Sequence, residues 1–158
     1  HTGGTIIGHV FGTTIWDKEF ITINGKEYSL DYIEHDILRE MNEPRIHFAV
    51  NCASISCPEL RKEAYEAENL DSQLDDQGKE FLNDPQKNSY NLEEREAEIS
   101  KIFSWFDEDF GDSDENVLQF ISEYLPDKLQ QDIRSNTSSW DVDYQSYDWG
   151  LNEYKKNE

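Results

Sequence analysis

The chain is poor in basic charge: 14 Lys and Arg stand against 35 Asp and Glu, a formal charge of −21 over 158 residues. A field of that sign repels phosphate backbones and anionic headgroups, so nucleic acid and membrane surfaces are excluded as expected partners, leaving a protein or a small molecule. Such an excess is tolerated where salt screens it, which points to a saline habitat; a fold indifferent to salt would count against that. Long apolar runs are also missing, and no membrane insertion is expected of the visible chain. It opens on His1 with neither a charged n-region nor an apolar h-region, which reads as a processed end or a fragment. The Gly-rich opening lacks the Lys-Ser/Thr of a phosphate loop, and there is no Gly-x-Ser-x-Gly elbow. No cofactor-binding residue is therefore assigned, and with no second Cys pair and no His-x-x-x-His no metal ligand is assigned either. Methionine is reduced to Met41 and cysteine to Cys52 and Cys57.

Aromatic side chains are plentiful. Hydrophobic residues make up only 35 % of the chain, but Phe, Trp and Tyr reach 13 %, enough large rings for the chain to fold around a core. Its length suits one domain, residues 1–158, with one core.

Ile6, Ile7, Val10 and Phe11 have the spacing of a short helix. Asn24-Gly25 between Phe20-Ile-Thr-Ile23 and Lys26-Glu-Tyr28 is a hairpin signal, because Asn and Gly accept the positive φ values of a type I′ turn. Ser29 then caps a helix from Leu30 to about Met41, with Leu30, Ile33, Ile37, Leu38 and Met41 on one arc and Pro44 closing the segment. Arg45 to Val50 reads as a mostly buried strand running into a small-residue loop. Asn69 caps a helix that buries Leu70, Leu74, Phe81 and Leu82 and stops at Asp84-Pro85. A hairpin over residues 89–99 follows, then a helix from Ser100 with Ile102, Phe103 and Phe106 inward. Asp114 caps a helix with Val117, Leu118, Ile121 and Leu125 as its stripe, Pro126 precedes another, and residues 140–152 suit an extended strand or packed arm. The sum is an α+β domain: a small twisted sheet with hairpins, packed by several helices.

Both cysteines lie in Arg45-Ile-His-Phe-Ala-Val-Asn-Cys-Ala-Ser-Ile-Ser-Cys-Pro58, where a strand meets a loop and a scaffold commonly displays functional groups. Three chemistries compete for them. The first is a disulfide, which needs the loop to turn back until the Cα atoms lie within roughly 7 Å. Closing so short a loop stabilises by about 2 kcal/mol on the chain-entropy view. The second is a nucleophilic thiolate with His47 as its base. On a regular strand His47 and Asn51 share one face and Cys52 takes the other, so Cys57, beyond a turn, is the more natural partner of His47. Asn51 on that face could orient the imidazole or donate to an oxyanion. The third is a zinc site from Cys52, Cys57, His47 and His35, which would require ligands to converge from three elements. Glu34 falls inside the apolar arc of its helix, so its carboxylate needs a partner such as Arg45 or a backbone amide, or else serves as an acid or base facing the cysteines.

Several segments together resemble the family called domain of unknown function 547: Lys26-Glu-Tyr-Ser-Leu30, Ile33-Glu-His-Asp-Ile-Leu-Arg39, the cysteine segment, Gln73-Leu74, Phe81-Leu-Asn-Asp-Pro85 and Tyr147-Asp-Trp149. The resemblance implies relatives rather than an activity, and an exported, envelope or periplasmic location, as bacterial relatives often look exported. It also implies an aromatic Trp-x-Asn-x-Tyr-Asn helix upstream of the matched segments, so the domain is expected to be N-terminally truncated here. Two function classes follow. One is a non-catalytic interaction or structural module whose loop is bridged by Cys52 and Cys57. The other is a cysteine-dependent hydrolase or acyl-transfer enzyme, loosely similar in residue types to papain or transglutaminase, using Cys57 or Cys52 with His47, Asn51 and Glu34.

Overall fold

The structure is a computed structural model that describes residues 14–153. The helix expected over Ile6 to Phe11 lies outside them. Asn24 at φ 51° and Gly25 at φ 80° make the hairpin turn, and the residues on either side pair as antiparallel strands β1 (Ile21–Ile23) and β2 (Lys26–Tyr28). Ser29 ends the hairpin as a helix cap, its Oγ accepting from the Tyr32 N–H at 3.0 Å. Helix α1 (Leu30–Tyr32) continues into a π-helical stretch, Ile33–Leu38, and a 3-10 turn, Arg39–Met41, before Asn42 at φ 54° stops it. Bonding five residues on widens the turn, so an arc drawn for a regular α-helix does not hold along it. Met41, assigned to that arc, is 60 % exposed.

Arg45 to Val50 is not a strand. Pro44 leads into one helical turn, α2 (Ile46–Ala49), closed by the Val50 N–H donating to the Ile46 carbonyl at 2.9 Å. An apolar run this short satisfies a buried strand and a buried helical turn equally, and packing decides between them. Phe48 is fully buried, with the rings of Phe81, Phe103, Phe120 and Tyr124 at centroid distances of 5.7–6.2 Å. Arg45 pairs with Glu43, and with Asp71 and Asp75 on the next helix, which pins α2 against it. That helix, α3 (Leu70–Leu82), buries Leu74, Phe81 and Leu82 as its spacing predicts, while Leu70 at its start stays exposed. Asn69 occupies its cap position, but no side-chain bond caps the backbone there. Gly78 on α3 is the point of closest approach, since a Cβ there would lie 2.9 Å from the Tyr124 ring and 3.1 Å from that of Phe48.

The second half closes the core. Strands β3 (Ser89–Asn91) and β4 (Glu96–Ile99) form the expected hairpin, and β5 (Asp141–Tyr144) joins β4 in parallel with Val142 opposite Ala97. Between them lie α4 (Ile102–Trp105), a 3-10 turn at Asp107–Phe110, α5 (Asp114–Ser122) and α6 (Asp127–Asn136). The cap of α5 is Ser113 rather than Asp114, its Oγ accepting from the Asn116 N–H at 3.2 Å. Ile99, Phe103, Val117, Leu118, Ile121 and Ile133 meet Phe48 and Leu82 in one buried cluster. The described residues thus form an α+β fold with two small sheets. Among them no helix is long and apolar enough to cross a membrane.

Candidate functional site

The chain after β5 folds back onto the cysteine loop. Ser54 and Leu151 form an antiparallel bridge, and the Ile55 and Asn152 N–H groups donate to the Gly150 and Ala53 carbonyls, each at 2.9 Å. The Asp148 N–H donates to Ser56 Oγ at 2.9 Å. Inside the loop Ala53 at φ 60° makes the bend, and Asn51 clamps it: Oδ1 accepts from the Ala53 N–H at 2.7 Å and Nδ2 donates to the Pro58 carbonyl at 2.6 Å. The loop therefore turns back on itself. The Cys52 N–H donates to Cys57 Sγ at 3.0 Å.

The folded-back arm also brings Tyr147 over both sulfurs. Its hydroxyl lies 3.4 Å from each, accepts from the Ser54 hydroxyl at 2.9 Å, and Ser54 Oγ is itself 3.1 Å from Cys52 Sγ. The two thiols are unbridged and unequal: Cys57 is buried, while Cys52 is only partly so. A sulfur that accepts a hydrogen bond from a neighbouring group is easier to ionise. Cys52 is pulled down to about 5, first by its hydrogen bond with Cys57, then by those with Ser54 and Tyr147. The same Cys52 bond and burial push Cys57 well above the ordinary thiol range. The pair thus holds its first ionisation on Cys52 and resists the second.

Cys52 and Cys57 open onto a cavity of about 170 Å³. The first half of the chain contributes Trp16, Glu34, His47 and Val50 to its wall; the second contributes Ile102, Trp105, Phe106, Tyr147 and Trp149. The rings of Trp105, Tyr147 and Trp149 pack together at 4.5–5.4 Å between centroids. Four of the five candidates picked from sequence, Glu34, His47, Cys52 and Cys57, therefore line one cavity. Asn51 does not: its amide is spent on the loop backbone. The strand geometry that set His47 apart from Cys52 fails with the strand itself, since a helical turn followed by a bent loop delivers both to the same space.

His47 has a partner that sequence did not reveal. Its Nε2 lies 2.7 Å from Asp109 Oδ2, its ring stacks on Phe106 at 4.3 Å, and its Nδ1 makes no hydrogen bond among the described residues. Asp109 is held in turn by Arg39, whose Nε and Nη2 donate at 2.6 and 3.0 Å. The Arg39 bonds keep the Asp109 carboxyl below its ordinary range, while burial lowers the His47 imidazole against the pull of Asp109. The result is a neutral ring whose Nε2 carries the proton and whose Nδ1 is left to accept one. Asp109 lies in the run Asp107-Glu-Asp, where sequence shows only surface charge.

The Glu34 carboxylate, expected to pair with Arg45 or a backbone amide, makes no hydrogen bond or ion pair among the described residues; Arg45 is engaged by Glu43, Asp71 and Asp75. Burial raises its carboxyl, and the neighbouring Cys52 charge adds to the rise. Among the described residues no group of three or more His, Cys, Asp and Glu is placed to hold a metal ion.

No curated protein and no solved structure matches the chain. The segment that carries Glu34, His47 and both cysteines lies inside a family match, whereas Asp109, Tyr147 and Trp149 lie beyond its end. Residues 5–82 match the family described as "Protein of unknown function, DUF547", so this stretch of the chain is similar to members of that family.

Proposed function

We propose that the domain is a cysteine-dependent acyl-transfer or hydrolytic enzyme in which Cys52 is the nucleophile. The observation that carries this reading is the convergence of Cys52, His47 and Glu34 on one aromatic-walled cavity, with His47 anchored through Nε2 by Asp109. The Cys52 thiolate attacks a carbonyl carbon to form a thioester, and the leaving group takes a proton from Glu34, whose protonated form burial favours. Water then cleaves the thioester, giving its proton to His47 Nδ1, while Asp109 stabilises the imidazolium. Tyr147 and Ser54 hydroxyls stand beside the sulfur, where charge on the carbonyl oxygen develops. Of the two cysteines the sequence leaves open as nucleophile this reading takes Cys52, and it gives the orienting role to Asp109 in place of Asn51. Incubation with a p-nitrophenyl ester tests this. An acyl group on Cys52, identified by mass spectrometry and absent in Cys52→Ser, is expected; acylation spread over surface lysines, with none on Cys52, would refute it.

A second reading, the non-catalytic module with a bridged loop, is favoured by the close approach of the two cysteines across the bent loop. It predicts that native protein offers no alkylatable thiol.

A further inference from the structure

The acyl-transfer reading uses Cys52 and leaves Cys57 without a chemical part. Yet Cys57 is held as closely as any group in the site. Its sulfur accepts the Cys52 N–H at 3.0 Å and the Tyr147 O–H at 3.4 Å, so it is fixed next to Cys52 by two donors from two different segments. It is only 4 % exposed, whereas Cys52 is the more open of the two. One sulfur that a small reagent reaches first, and a second poised behind it, is the arrangement a dithiol needs to reduce a disulfide in two steps. Neither sulfur has to cross the cavity to meet the other.

We propose that Cys52 and Cys57 form a redox-active dithiol that reduces uncharged or cationic low-molecular-weight disulfides, with Cys52 attacking and Cys57 resolving. In the first step the Cys52 thiolate attacks one sulfur of R–S–S–R, forming Cys52–S–S–R and expelling RS⁻, which takes a proton from water. In the second, Cys57 attacks the Cys52 sulfur, the bond to SR breaks, and the Cys57 proton leaves with RS⁻ as RSH. Two protein thiols are oxidised to one disulfide, and one disulfide is reduced to two thiols. The cavity sets the substrate class. At about 170 Å³ it admits a small group, its walls are mostly aromatic, and among the described residues its lining includes Glu34 but no Lys or Arg. A carboxylate-bearing disulfide would meet the Cys52 charge and the overall field of −21. The pKa asymmetry of the pair works in the same direction, because the more open sulfur is the one that ionises.

This inference rests on Cys52 being a reactive thiolate, the same premise as the acyl-transfer reading, and the test separates the two. Reduced protein is mixed without oxygen with 2-hydroxyethyl disulfide, cystamine or 3,3′-dithiodipropionate and followed by mass spectrometry, with iodoacetamide alkylation in parallel. Wild type is expected to end as an internal disulfide with two thiols released, Cys57→Ser to accumulate a mixed disulfide on Cys52, and Cys52→Ser to form no adduct on Cys57 in that time. Cystamine should react at least about tenfold faster than dithiodipropionate. If Cys52 alkylates rapidly but the wild type stops at a mixed disulfide or forms none, the dithiol activity is overturned and the acyl-transfer reading stands. If Cys52 does not alkylate either, both fall. Equal rates for the cationic and anionic disulfides would overturn the substrate class.

Discussion

Replacing Asp109 with Asn probes the least expected member of the site. The wild-type carboxylate accepts three hydrogen bonds: two from Arg39, at 2.6 and 3.0 Å, and one from His47 Nε2, at 2.7 Å. Asn keeps the shape but offers one oxygen, and turns an NH₂ toward groups that are themselves donors. Arg39 retains Glu108 as a partner, so its charge is not stranded. Hydrogen bonds to charged groups contribute about 1.5–3 kcal/mol each when well formed, and a site about one-fifth exposed realises less than their sum. The expected loss is about 2–3 kcal/mol in urea denaturation. With its oxygen at the Oδ2 position Asn still accepts from His47 Nε2 and Arg39 Nε but turns its NH₂ toward Arg39 Nη2, and the neutral amide no longer stabilises the imidazolium. Hydrolysis of the acyl-Cys52 thioester, the step in which His47 takes the proton of water, should slow by about a hundredfold, a size ordinary for a lost base. Wild-type stability together with a wild-type deacylation rate would refute the assignment; lost stability with an unchanged deacylation rate would reduce Asp109 to an anchor for Arg39.

Three further outcomes follow from the same contacts. Tyr147→Phe removes one hydroxyl from beside Cys52 and should raise the midpoint of its alkylation from about 5 by up to about one pH unit, which is about 1.4 kcal/mol; an unmoved midpoint would take Tyr147 out of the network. Gly78→Ala gains about 1 kcal/mol of helix propensity but drives a methyl to within 2.9 Å of Tyr124 and 3.1 Å of Phe48, so thermal denaturation should show a net loss of about 1 kcal/mol; a stabilised variant would mean that the two rings yield freely. His47 is lowered from 6.5, so below that pH the unfolded chain binds the proton first. Its contribution to stability is present above that range and lost on acidification, and His47→Gln should flatten the decline in urea midpoint from pH 7 to 5; an identical slope would argue that the ring titrates freely.

How much of this was legible in the sequence varied with how local the governing physics is. The Asn24-Gly25 turn and the Ser29 cap are decided within four residues, and both formed as read. The apolar periods of α3 and α5 also survived, because the face they bury spans several turns. Residues 45–50 misled because Ile, Phe and Val suit a strand, and only Phe48 packing among four rings from other segments makes them helical. The error then spread to the site by assigning His47 and Cys52 to opposite faces. Asp109 and Tyr147 stayed hidden for another reason. They are 62 and 95 residues from the groups they touch, and one sits in an acidic run that looks like any solvated surface. Phe106, read as facing inward with Ile102 and Phe103, walls the cavity, beside Trp105 at 41 % exposure. The cysteine segment signalled itself by its chemistry alone.

The account turns on Cys52 being an open thiolate in that cavity. The most direct measurement is the rate of iodoacetamide alkylation of each cysteine against pH, resolved by peptide mass spectrometry on reduced, folded protein. The account predicts that Cys52 reacts first, with a midpoint near 5 and full rate at pH 7, while Cys57 stays unmodified up to pH 9. Equal reaction of both cysteines with midpoints near the ordinary 9.0 would contradict it.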